Sequence, residues 1–184
     1  MLFRSKNLIS NNFNCHHIIV ENWDELESEK GVIFVSIPTL LDPSLAPEGK
    51  HILHAFTPSS MSEWEGLSRQ EYLQKKEKYF SFLVEKISII LPNLSENIDH
   101  KEIGTPKTHK KFLGRYEGSY GPIPNQKLRG LLPMPFNTTK IKNLYCVGDS
   151  CFPGQGLNAV AFSGYACAHK IGSKLKINSF KLPD

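Results

Sequence analysis

The sequence predicts an α+β chain with an α/β ending: part of a mixed sheet carrying one long helix, then a closing strand, turn and helix. Three observations carry that prediction. Runs of β-branched and aromatic residues fall between residues 16 and 56. A Ser68-Arg69-Gln70-Glu71 box opens a stretch with apolar residues at helical spacing. Residues 142–175 join a short apolar run, a glycine-dense turn and small residues spaced for a helix.

In chain order, residues 1–15 are polar and Asn-rich and are expected to be a disordered N-terminus. His16 to Val20 reads as a strand, and Asp24 to Lys30 as a charged turn or short helix. Val32 to Ile37 is strand-like throughout, Leu41 to Gly49 is a loop with two turns, and His51 to Phe56 is a second strand. The two strands are expected to pair antiparallel, and their apolar continuity predicts cover on both faces. His51 and His54 are three apart, which on a strand puts them on opposite faces, so no metal site is expected from them.

The box at Ser68 starts a helix expected over residues 69–91, stopped by Pro92, with Tyr72, Tyr79, Leu83, Ile87 and Ile90 on one stripe that reads as core. Met61 and Trp64 are expected to anchor the loop before it. Asn97 to Ile103 and Phe112 to Tyr116 are strand candidates. Gly114, Tyr116, Gly118, Tyr120 and Gly121 then alternate glycine with aromatic rings, which suits either a cleft wall beside a flat ligand or a packed loop. Pro133-Met134-Pro135-Phe136 is a stiff connection into the closing segment. The expected division is a substrate-domain portion over 16–135, a cofactor-domain portion over 136–175 and a tail over 176–184.

The closing segment carries the chemistry. Leu144-Tyr145-Cys146-Val147 is too short for a helix and reads as a buried strand. Gly148, Pro153, Gly154 and Gly156 follow within nine residues, a density that lets backbone approach a ligand closely. From Leu157 the apolar and small residues recur at helical spacing. A strand, a glycine-rich turn and a helix N-terminus make an anion site, because free amides and the helix dipole converge on one point. Gly154-Gln155-Gly156-Leu157-Asn158-Ala159 fits the dinucleotide fingerprint, but that unit needs a second strand and an acidic residue about twenty positions on, and no such unit follows in this sequence. The reading kept is a Rossmann-like closing segment facing a flavin. Asp149 would accept hydrogen bonds from ribityl hydroxyls. The helix start, with Gly148, Pro153, Gly154, Gln155, Gly156, Leu157, Asn158 and Ala159 around it, would face the ring edge where negative charge develops on reduction.

The run NLYCVGDSCFPGQGLNAVAFSGYACAHKI, with GTPKTHKKFLGRYEGSYGPIP upstream, resembles the C-terminal part of the carotenoid isomerases, a branch of the phytoene-desaturase-like flavoproteins. The resemblance spans about His16 to Leu175. It implies FAD in its reduced form, a polyene substrate, membrane contact, and cis-trans isomerisation of a poly-cis-carotene with no net redox. The upstream match is what points to the isomerase branch. Family members open with a strand, a G-x-G-x-x-G turn and a helix holding the ADP half of FAD, and no such run precedes Lys142. The N-terminal half of that domain is therefore expected on other polypeptide, a complementing FAD-binding chain of a truncated or split gene, and FAD binding by this chain alone is not expected. No catalytic residue stands out; Glu117 and His109 are candidates by location only. A desaturase or saturase fragment, whose product would differ in hydrogen count, and a non-catalytic remnant are the competing readings.

Composition sets the outer limits. The net charge of +4 over 184 residues calls for no nucleic-acid partner. Lys75-Lys76 and Lys110-Lys111 read as solvated faces, with anionic lipid as the second reading. Four cysteines without C-x-x-C spacing suit a reducing compartment without a metal. The start MLFRSKNLISNNFN lacks a secretory apolar core. It is basic and acid-free as transit peptides are, but short and Asn-rich, so the cytosol or membrane surface of a carotenoid-making bacterium is expected ahead of a plastid.

Overall fold

The computed structural model describes residues 2–4, 9, 13–26, 28–119 and 134–177. The chain is α+β and divides into two compact units, Met1–Gly118 and Ser119–Asp184.

The first unit holds two three-stranded sheets. In one, β2 (His16–Val20) pairs β3 (Val32–Ser36), which pairs β5 (His54–Phe56), both antiparallel. In the other, β1 (Leu2–Arg4) lies between β4 (Lys50–Ile52) and β6 (Ile98–His100), again antiparallel on both sides. The expected mixed pairing is thus not found among the described strands. Residues 21–31 join β2 to β3 through one short helical turn at Trp23–Glu25 and no crossover helix, which suits an antiparallel pair. The expected pairing of the two central strands holds, through Phe34 opposite Phe56 and Ser36 opposite His54.

Two boundaries move. His51 to Phe56 is not one strand: Leu53, fully buried, sits at the break where the chain passes from one sheet to the other. The N-terminus, expected to be disordered through residue 15, contributes β1 at Leu2–Arg4, because β4 and β6 offer it hydrogen-bonding edges on both sides.

The core follows from strand periodicity. Ile33, Val35 and Ile37 alternate along one face of β3 and are buried against Leu53, Ile87, Leu91 and Leu94. Helix α1 (Arg69–Ile87) supplies the opposing stripe. Its start is the predicted capping box: Glu71 N–H donates to Ser68 Oγ at 3.3 Å, and Ser68 N–H donates to Glu71 Oε2 at 2.8 Å. It ends at Ile87, four residues before the predicted stop, with the chain continuing in tighter turns to Leu91. Trp64 and Met61 are buried as expected, and Trp64 packs edge-on to Tyr72 and tilted to Tyr79, at 5.6 and 5.3 Å between ring centroids.

Helix α2 (Pro106–Leu113) replaces the strand expected at Phe112 to Tyr116. Its signals are local: Pro106 at the first turn, a reciprocal Thr105–Thr108 cap, and Gly114 in the left-handed conformation (φ 63) as terminator. Tyr72 and Thr105 share a hydrogen bond of 2.9 Å that ties this helix start to α1.

One half-buried polar pair makes this unit sensitive to pH. Thr39 Oγ1 and His51 Nδ1 share a hydrogen bond of 2.8 Å, and Ile52 N–H donates to the same hydroxyl oxygen at 3.3 Å. Burial holds the His51 imidazole below its ordinary value of 6.5. The unfolded chain therefore binds the proton first as pH falls, so the stability is fully present above that ordinary value and declines below it. Melting temperatures followed by tryptophan fluorescence are expected to fall below pH 6.5, less steeply in His51→Gln. Identical pH slopes in the two proteins would remove His51 as the cause.

Among the described residues no helix is long and apolar enough to cross a membrane, and no three His, Cys, Asp or Glu side chains gather to hold a metal ion.

Candidate functional site

The second unit is organised by helix α3 (Leu157–Leu175) and the turn that leads into it. Gly148, Gly154 and Gly156 have φ of 112, 120 and 101, backbone regions where an L side chain is strained. They bend the chain three times in nine residues and deliver it to the helix start. Gly156 is the N-cap residue and no side chain caps this helix, so the amides of its first turn are left for another acceptor. Gln155, Gly156, Leu157 and Asn158 are exposed, Leu157 to 86%.

The remaining residues proposed from sequence divide in two. Asp149 is half-buried at the top of the turn and accepts a hydrogen bond from Ser150 Oγ at 3.2 Å. Gly148 and Ala159 are half-buried, Pro153 is exposed after a cis peptide, and Gly154 is buried beside Met134. Asp149, the uncapped helix start and the three glycines thus belong to one turn. Glu117, exposed with φ 48, and His109, half-buried on α2, belong to the first unit.

What holds the turn in place was not read from the sequence. Ser163, fully buried one turn and more into α3, accepts from Gly148 N–H at 3.3 Å and from Asn137 Nδ2 at 3.0 Å through its hydroxyl oxygen. Asn137 Nδ2 also donates to the Cys146 carbonyl at 2.9 Å, and Cys146 N–H donates to the Asn137 carbonyl at 2.9 Å. Phe152 N–H reaches the Pro135 carbonyl at 2.8 Å. Residues 134–138 are therefore a strap that pins both ends of the glycine turn to α3. The available signal was the small polar Ser163 within an otherwise apolar and small helix face, which reads as close packing unless its partners are known.

The buried strand expected at Leu144 to Val147 is not formed. Leu144, Cys146 and Val147 are exposed, and pairing is reduced to one antiparallel bridge, Thr138 to Tyr145. A strand is buried by its neighbours, and the described residues give this one a single partner. Cys151 and Cys167 are buried and all four cysteines are free. Burial pushes the Cys151 thiol up, with Cys146, Cys167 and Asp149 adding in the same direction, so it is held protonated.

No family model matches the chain. Individual proteins do. It is 57% identical over 166 residues, 89% of its length, to the chloroplastic prolycopene isomerase 1 of an Oncidium hybrid cultivar. It is 54% identical over 164 residues to the chloroplastic prolycopene isomerase of Arabidopsis thaliana. Over that stretch the chain belongs to the prolycopene isomerase family. It spans 28% of the length of those relatives. The phytoene desaturase of Phycomyces blakesleeanus is far more distant, 24% identical over 150 residues, so family membership falls on the isomerase branch, as the upstream residues indicated. The bacterial setting expected from the N-terminus is overturned: these prolycopene isomerases, at 54% and 57% identity, are plant chloroplast proteins.

Proposed function

We propose that the chain supplies the isoalloxazine end of the FAD site in a plastid carotenoid cis-trans isomerase, and acts together with polypeptide that holds the ADP end. The observation that carries this is the uncapped start of α3 beneath three positive-φ glycines, in a chain 57% identical to a prolycopene isomerase. The residues present fit the cofactor. No side chain caps the backbone amides of the first turn, and the glycines put no Cβ into the open space beside them: nothing lies within 4 Å of a Cβ built at Gly148 or Gly156.

When bound, reduced FAD supplies electrons that can transiently lower the double-bond order of a polyene and be recovered without net redox. The chain's own residues do the rest. Amides at Leu157, Asn158 and Ala159, with the positive end of the α3 dipole, stabilise negative charge on the ring edge. Asp149 accepts hydrogen bonds from the ribityl hydroxyls. Leu157, Val160 and Phe162, all exposed apolar side chains of α3, keep water from that end of the helix once covered. The first unit is assigned to the polyene-binding domain, and the turn and helix over 136–175 to the cofactor domain.

The test is co-production with the nucleotide-binding portion of one of the plant relatives. The complex is expected to retain flavin in stoichiometric amount while this chain alone does not. Asp149→Ala in that complex should weaken FAD binding by about 1.5–3 kcal/mol, the range for a hydrogen bond to a charged group, measured by flavin fluorescence on titration. Unaltered affinity would remove Asp149 from the site, and a complex that binds no flavin would end the proposal.

A further inference from the structure

The sheet of β2, β3 and β5 ends in an edge that the flavin reading does not use. Among the described strands β2 pairs only with β3. Ile37 N–H donates to the Cys15 carbonyl at 2.8 Å and Glu21 N–H to the Gly31 carbonyl at 2.9 Å, and the bonds of an antiparallel ladder fall on alternate residues. His17 and Ile19 therefore face β3, while His16, Ile18 and Val20 point their N–H and C=O groups away from it. Ile18 is 64% exposed, and Trp23, just past the strand, is 77% exposed.

Folded proteins blunt such edges with short strands, charged side chains, proline or a bulge. The edges at β4, β5 and β6 are three residues each. β2 has five residues, His16-His17-Ile18-Ile19-Val20, with no lysine, carboxylate or proline, and its register with β3 runs unbroken. An unprotected edge is a template for another strand. The strand is also its own complement. In an antiparallel pair about a two-fold axis through Ile18, that residue faces Ile18 of the partner subunit and His16 faces Val20 of the partner subunit. All three outward residues then meet as hydrogen-bonded pairs, with no like charges opposite each other. The row Ile18, Phe34 and Phe56, in register across the three strands, continues through the axis into the second sheet. We infer that two copies of this chain join edge to edge through β2, doubling the three-stranded sheet into one continuous antiparallel sheet.

The inference stands apart from the flavin assignment, since it is read on this chain alone, without cofactor or complementing polypeptide. Sedimentation equilibrium over a concentration series is expected to show a dimer. Ile18→Pro removes an outward N–H and leaves the ladder to β3 whole, because proline is tolerated on the open side of an edge strand. Its circular dichroism should match that of the unsubstituted chain while the dimer dissociation constant rises by roughly ten-fold or more, for one hydrogen bond lost on each side of the axis. Ile18→Lys sets like charges opposite each other and should weaken the dimer in a way that added salt partly restores. Phe56→Lys, the same change on β5 at the other edge, should leave the dimer intact. Ile18→Cys treated with oxidised glutathione should cross-link beyond the level of the unsubstituted chain, since facing Cα atoms in such a pair lie about 5.5 Å apart, within disulfide range. A chain that sediments as a monomer throughout, a dimer indifferent to both the proline and the lysine at position 18, equal weakening by Phe56→Lys, or no added cross-link would overturn the inference.

Discussion

Replacing Ile87 by alanine is expected to cost about 2–5 kcal/mol of stability in the first unit, the range for truncating a large side chain in a packed core. Ile87 is fully buried at the last turn of α1 and meets Ile33, Val35 and Ile37 of the central strand together with Leu53, Leu91 and Leu94. Those partners come from β3 and the residue after it, the break between β4 and β5, and the turns that follow α1, so the cavity left behind cannot be closed by shifting one element. Ile89, two residues on, is 71% exposed, and Ile89→Ala is expected to stay within about 0.5 kcal/mol, as surface substitutions do. Both tryptophans, Trp23 and Trp64, lie in the first unit, so urea unfolding followed by their fluorescence isolates its stability. Near-equal midpoints for the two variants would show that this cluster is not the core.

The pair also shows what was legible in the sequence. The Ser68–Glu71 box and the stripe through Tyr79 and Ile87 announced α1 because its start and its buried face are both local patterns. The alternation Ile33, Val35, Ile37 gave the central strand for the same reason. Helix α2 was equally local, with Pro106 and Gly114 at its ends, but its eight residues lack an apolar stripe, and Phe112 to Tyr116 drew the reading toward a strand. The strands β1 and β4 are each three residues long, too short for any period to register. They exist because paired edges are available, which is a tertiary fact.

The closing segment divides the same way. Its glycines, helix and turn were readable because positive φ and helical spacing are written in residue type. Leu144 to Val147 was read as buried because it is apolar, yet apolarity states a preference that only a neighbour can satisfy. The described chain leaves Leu144, Val147, Leu157 and Phe162 exposed. Their exposure agrees with the proposal that this unit completes its site together with further polypeptide, in a family where the chain spans 28% of the relatives' length.

Ser163→Val is the substitution expected to disturb that site most. Valine puts a methyl in place of the hydroxyl and adds a second one, which removes the oxygen that accepts from Gly148 N–H and Asn137 Nδ2. A buried donor left unpaired costs about 1–3 kcal/mol, and the added methyl in a position with no exposed surface costs about 1–3 kcal/mol more through overpacking. Asn137 retains the Cys146 and Ser163 carbonyls as acceptors, so the loss concentrates on the Gly148 N–H. Amide exchange in peptides covering 137–151 should therefore accelerate by roughly thirty-fold or more, the factor set by about 2 kcal/mol, while peptides of α1 stay unchanged. Ser163→Ala, which strands the same donors without the extra methyl, should give a smaller acceleration. In the flavin-retaining complex Ser163→Val should release cofactor although the residue touches none of it, because Asp149 and the α3 amides are aimed by the turn that Ser163 holds. Unaltered exchange over 137–151 in the valine variant would mean that the turn is fixed by something other than this clamp.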